Sequence, residues 1–125
     1  MTIQLIKTSD HHPASLCLPN DVDPRTVAWQ DVSRIDLHFP KFTDGRAYSQ
    51  AFLLRKRLGF QGEIRATGDV LIDQLLQMQR SGFDSAVLRE DQNPSFAQAQ
   101  LARFADFYQG DATQALPLFA KGETA

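Results

Sequence analysis

Two polar turns hold most of the side chains in this sequence that could do chemistry. The first, FPKFTDGRAYSQ, offers Lys41, Thr43, Asp44, Arg46 and Ser49; the second, RATGDVLIDQ, offers Arg65, Asp69, Asp73 and Gln74. An anion is the ligand these residues suit. Backbone N–H groups at a helix start carry partial positive charge, and Thr43, Arg46 and Ser49 add donors there. Lys41 brings a compact charge, while Arg46 and Arg65 bring a planar fork matched to a carboxylate, a phosphate or a sulfur oxyanion. Asp44 and Asp69 are the candidate proton acceptors. A plainer use exists for each residue. Asp44 and Asp69 cap helices, Asp73 favours a helix dipole, and Arg65, within a predicted central strand, pairs with Glu63, Asp69 or Asp73. On residue types alone both uses stand.

Other chemistries have less behind them. Asp69 and Asp73 are too few oxygen ligands for a hard cation. His11, His12 and His38 lack the spacing of a transition-metal site; His38 could act as a general base, but a satisfied core or edge histidine is the simpler account. Cys17 is the only cysteine, so no intrachain disulfide or cysteine metal cage can form. Neither GFQGEIRATG nor any other stretch has the GxGxxG or Walker spacing, so no nucleotide, flavin or metal cofactor is expected.

The turns need elements to position them. Ile35 to Phe39 reads as a strand stopped by Pro40, and Arg46 to Leu58 as a helix with Ala47, Ala51, Leu54 and Leu58 on one face and Arg55, Lys56 and Arg57 toward solvent. Gly59 stops that helix. Glu63 to Thr67 is the next strand, and Asp69 caps a helix striped by Leu71, Leu75 and Met78 that ends at Gly82. Phe83 to Leu88 is the third strand. Asn93-Pro94 starts a third helix, with Ala97, Leu101, Phe104, Ala105 and Tyr108 as its stripe. Crossovers of this length return parallel and right-handed. The expected fold is therefore α/β, a βαβαβα unit on a small parallel sheet, either open or curved like part of a (β/α) barrel. Both turns then sit at strand carboxyl ends, where such sheets bind ligands.

The whole chain reads as one domain. Residues 1–34 form a short N-terminal β ribbon (Ile3 to Lys7 with Ser15 to Leu18) and a short helix from Asp23-Pro24 through Trp29. Residues 35–109 form the βαβαβα core, and 110–125 a C-terminal arm in which Leu116 to Phe119 is a last strand or a docking segment. Exposed sheet edges make a homodimer a reasonable expectation.

An apolar share of 42% and a charged share of 22% are ordinary globular values. A formal charge of -2 speaks against a general nucleic-acid binder, although Lys41, Arg46, Arg55, Lys56, Arg57 and Arg65 make the middle locally basic. No secretory signal and no membrane span are read in the sequence, so a cytoplasmic protein is expected.

The segment FPKFTDGRAYSQAFLLRKRLGFQGEIRATGDVLIDQLLQMQRSGFDSAVL resembles a bacterial family of unknown function with the pattern FPxFTDGRxxSxAxxLRxRxGxxGExRAxGDVxxDQxxxMxRxGFD. The match covers Phe39, Pro40, Phe42, Thr43, Asp44, Gly45, Arg46, Ser49, Arg55, Gly62, Glu63, Arg65, Ala66, Gly68, Asp69, Asp73, Gln74 and Arg80. Members are typically encoded beside assimilatory sulfite reductase and carry an oxidoreductase label. The chain departs from many members at Ser81, where they have a cysteine before GFD, so no thiol step can run at that position. The resemblance implies a place in sulfite reduction, and the lack of a cofactor motif or catalytic triad favours a non-catalytic accessory protein that docks to sulfite reductase or another sulfur-assimilation enzyme. The residues themselves also allow a small enzyme or binding domain for an oxyanion or phosphorylated metabolite, or a motif that pairs across a dimer axis.

Overall fold

The computed structural model describes residues 3–41, 43 and 45–107, with side chains through Arg103. Asp44, Phe42 and the predicted C-terminal arm lie outside the described residues. Five strands form one open, all-parallel sheet: β1 (Gln4–Ile6), β2 (Leu16–Leu18), β3 (Arg34–Phe39), β4 (Glu63–Gly68) and β5 (Ser85–Val87), in the spatial order β1-β5-β4-β3-β2. Three helices connect and follow the later strands: α1 (Arg46–Phe52), α2 (Leu75–Ser81) and α3 (Pro94–Phe107). The α/β class and the βαβαβα unit are as expected, and the open alternative is the one adopted.

Side-chain alternation gives the sheet two unlike faces. Ile35, Leu37, Phe39, Ile64, Ala66 and Ala86 point to one side, into a core completed by Ala47, Ala51 and Leu54, Leu75 and Met78, and Ala97 and Leu101. All three helices therefore pack on this face. The other face carries a polar row in register across every strand. Cys17 lies beside Asp36, Asp36 beside Arg65, Arg65 beside Ser85, and Ser85 beside Gln4.

The N-terminal ribbon is corrected. β1 and β2 do not pair with each other; they lie on opposite edges, β1 against β5 and β2 against β3. The intervening segment, with a tight turn at Thr8–Asp10 followed by Pro13, is no hairpin loop, and each three-residue strand gains more by pairing with a long-range partner. Residues 7–15 thus form a strap across the polar face. Thr8 donates to the Leu88 carbonyl, Ala14 N–H donates to Asp36, and Arg34 donates to the His12 carbonyl.

Local details also differ. The Asp23 cap is present, accepting from Arg25 N–H, but its helix is a single tight turn, Pro24–Thr26. The helix after the first polar turn changes to a wider π-type turn at Leu53–Arg57, closed by Leu58 N–H to the Leu53 carbonyl, with Gly59 in the left-handed region at φ 76°. Arg55 is not solvated. Its guanidinium donates to the carbonyls of Phe60, Gly62 and Gly82 and to Asp84, because the widened turn directs it under the sheet's amino end. Asn93 caps α3 through Ser95 N–H.

Candidate functional site

Arg65 is the third residue of β4 and is 8% exposed, so its charge must be met inside the protein. Strand alternation puts Glu63 on the same face, and its carboxylate accepts from Arg65 Nε at 3.2 Å and from a terminal nitrogen at 2.9 Å. Ser85 accepts from Arg65 Nε at 3.0 Å and donates to Glu63 at 2.5 Å. These bonds from Ser85 and Arg65 hold the Glu63 carboxyl below its ordinary value against burial, the largest influence, which pushes it up. The remaining guanidinium nitrogen is 3.1 Å from His11 Nδ1. A guanidinium only donates, so Nδ1 is an acceptor and the His11 proton sits on Nε2, facing Asp36 at 3.6 Å. Burial lowers the His11 pKa further than Asp36 raises it.

Asp36 anchors the other half of this network. At 2% exposed it accepts from Arg34 Nε at 2.9 Å and Ala14 N–H at 2.9 Å, with the Cys17 thiol at 3.8 Å. Burial first, then the Asp36 charge, push the Cys17 thiol up and away from the nucleophilic form. His38, exposed on the same face, lies 3.4 Å from Thr67, beside a shallow groove lined also by Cys17 and Pro19.

Arg65 is therefore set apart from the other residues predicted to share an anion site, whereas the two turns themselves lie side by side, Asp69 N–H donating to the Phe39 carbonyl at 2.8 Å. Arg65 leaves the sheet from the face opposite α1, paired with Glu63 rather than Asp69 or Asp73. Lys41, Thr43 and Ser49 are exposed around the start of α1, and Arg46 is exposed but already engaged by a neighbour. Asp73 is exposed, and Gln74 turns back to accept from Leu71 N–H at 3.3 Å. Asp69 caps nothing. The helical turn starts after Leu71, and the Asp69 carboxylate reaches Arg89 at 2.7 Å.

That contact leads to a crevice that sequence reasoning missed. A cavity of about 370 Å³ opens at the carboxyl ends of β1 and β5, lined among others by Lys7, Thr8, Ser9, Leu88, Arg89 and Glu90. β1 continues into the strap over the polar face, and β5 continues into α3 on the helical face. Adjacent strands whose connections leave in opposite directions define a topological switch point, the usual ligand position in open parallel sheets. The volume falls in the range of small-molecule sites. Arg89 is held by Asp69 and by two bonds to Asp91, at 3.0 and 2.6 Å, and these carboxylates, Asp91 foremost, raise its pKa. A signal existed in the sequence: SAVLRE ends an apolar strand on the charged pair Arg89 and Glu90, and QLIK ends one on Lys7.

A family model of bacterial proteins of unknown function (DUF934) matches residues 15–119. The chain belongs to that family. The matched span opens beside β2, so within this family member β1 and most of the strap, including Lys7, Thr8 and Ser9, precede it. No curated protein and no solved structure matches the chain. Among the described residues no helix is long and apolar enough to cross a membrane, and no group of three or more His, Cys, Asp or Glu side chains could hold a metal ion.

Proposed function

We propose that the protein is a non-catalytic accessory of assimilatory sulfur metabolism that holds a small charged metabolite at the carboxyl ends of its strands. The crevice at the β1/β5 switch point carries the reading: it combines a ligand-sized volume, polar groups and an apolar wall where open parallel sheets bind ligands. The sulfur context is supported by the resemblance of the segment from Phe39 to Asp84 to proteins encoded beside sulfite reductase. A binding role is favoured over a self-contained reaction by the state of the crevice side chains. Thr8 donates its hydroxyl to a backbone carbonyl, and Arg89 is clamped by carboxylates, so neither is poised for chemistry.

Deletion of the gene tests the physiological part. Growth is expected to slow on sulfate or sulfite as sole sulfur source and to recover with cysteine, and tagged protein is expected to enrich sulfite reductase or a neighbouring enzyme. Normal growth on sulfite together with no such enrichment would overturn it. The molecular part is tested by thermal stabilisation of the full chain with charged metabolites, since a ligand that binds only the folded state raises its stability with concentration.

A further inference from the structure

The charges around the crevice say which kind of metabolite it suits. Arg89 is the most conspicuous cation there, yet Asp69 and both carboxylate oxygens of Asp91 already take up its donors. A sulfate or phosphate dianion placed on Arg89 would meet two carboxylates at close range. Lys7 and Glu90 are different: both line the crevice, both are exposed, and neither has an ion-pair partner among the described residues. Among the described residues the crevice therefore offers one cation without an ion-pair partner, on the segment leaving β1, and one such anion, on the segment leaving β5. Leu5, Ile6, Leu88 and Pro94 supply an apolar wall.

We infer that the crevice takes a free α-amino acid with a short apolar side chain, its carboxylate toward Lys7, its ammonium toward Glu90, and its side chain against Leu88 and Pro94. A zwitterion matches both open charges, whereas a simple anion satisfies Lys7 and is repelled by Glu90. The assignment rests on the reading of this crevice as the ligand site, and it narrows the ligand from charged metabolites in general to one class. Gln92 helps to set the wall, since its side-chain carbonyl accepts from Ile72 N–H at 3.0 Å and so holds the turn after β5 against the α2 side.

The test is calorimetric titration of the full chain with each common L-amino acid, and with sulfate, sulfite and phosphate. The best amino acid is then compared with its N-acetyl and carboxamide derivatives. Saturable binding of at least one amino acid is expected, weakened about tenfold or more by either derivative, because each removes one hydrogen-bonded charge. Lys7→Met should mimic the carboxamide loss and Glu90→Gln the N-acetyl loss. Both variants should melt at the wild-type temperature without ligand, since neither side chain has an ion-pair partner among the described residues to lose. If no amino acid binds, or if the N-acetyl derivative binds as tightly as the parent, the inference is wrong. If sulfite or phosphate binds instead and Lys7→Met abolishes it, the crevice remains a ligand site and only the amino-acid assignment falls. If no charged solute binds at all, both fall.

Discussion

Replacing Asp36 with alanine should release the strap and cost about 3 kcal/mol of stability. The carboxylate is 3% exposed and accepts two short hydrogen bonds, from Arg34 Nε and Ala14 N–H, both at 2.9 Å. Hydrogen bonds to a charged group each contribute about 1.5–3 kcal/mol, giving a gross loss of about 3–6 kcal/mol. Arg34 is 20% exposed and partly rehydrates once its partner is gone, which favours the lower end at about 3 kcal/mol. With a urea m-value near 1.5 kcal/mol/M, the unfolding midpoint should fall by about 2 M. The structure also says where the damage appears. Ala14 and, through Arg34, the His12 carbonyl are tied down by this residue, so trypsin should cut after Lys7 faster than in wild type. The Cys17 thiol, no longer beside a carboxylate, should react faster with iodoacetamide at neutral pH. Asp73→Ala, an exposed control, should stay within about 0.5 kcal/mol of wild type. A midpoint shift below about 0.5 M, or an unchanged rate of cutting at Lys7, would refute the view that Asp36 holds the strap to the sheet.

Acidification gives a second test. The His11 pKa is lowered by folding, so its contribution is fully present above the unfolded value of 6.5 and is lost as pH falls below it toward the folded pKa. The melting temperature should therefore drop through this window, and His11→Gln, whose amide oxygen can still accept from Arg65, should flatten the drop. Glu63 is also lowered, so its contribution fades only at more acidic pH, below 4.5, and should survive in the His11 variant. Gly68→Ala should be among the most damaging single substitutions. Its φ is 94°, and an added Cβ would lie 2.3 Å from the Phe39 carbonyl oxygen and within 2.8 Å of the His38 ring. A loss above about 3 kcal/mol is expected in chemical unfolding, because backbone cannot yield as a side chain can. Arg55→Lys should lose about 2 kcal/mol despite keeping its charge. An ammonium cannot reach three carbonyls and Asp84 at once, and a near-neutral result in the same assay would show that the fork geometry is not what matters.

The parts of the fold legible in the sequence were those written locally. Asp23 and Asn93 announce their turns by capping chemistry, Gly59 and Gly82 stop their helices with positive φ, and Ile35, Leu37 and Phe39 mark a core face by alternation. What was hidden depends on partners far away in the chain. β1 and β2 are three residues each, and nothing within QLI or LCL says that one pairs with Ser85–Val87 and the other with Arg34–Phe39. Arg55 sits in an RKR run that suits a solvated face, and only the π-type turn redirects it. The buried network had left a trace that periodicity could have used. Arg34 with Asp36, and Glu63 with Arg65, are opposite charges two positions apart within strands, the spacing that places a pair on one face. The candidate crevice was least visible, because its walls come from residues 5–9 and 88–98 and close only when β1 reaches β5.

That closure bears on the order in which the molecule is made. β1 emerges from the ribosome before the other described strands, yet among the described residues its strand partner is β5, and Thr8 finds its acceptor 80 residues later in the chain. Strands β2, β3 and β4, with α1, can assemble from near neighbours as they appear, whereas the first strand must wait until Ser85–Val87 has been synthesised. Domains generally fold as units during synthesis, and long-range pairings bear the highest loop-closure cost. The crevice therefore cannot take shape before Ser85–Val87 and the start of α3 are present, although one of its walls is made with β1.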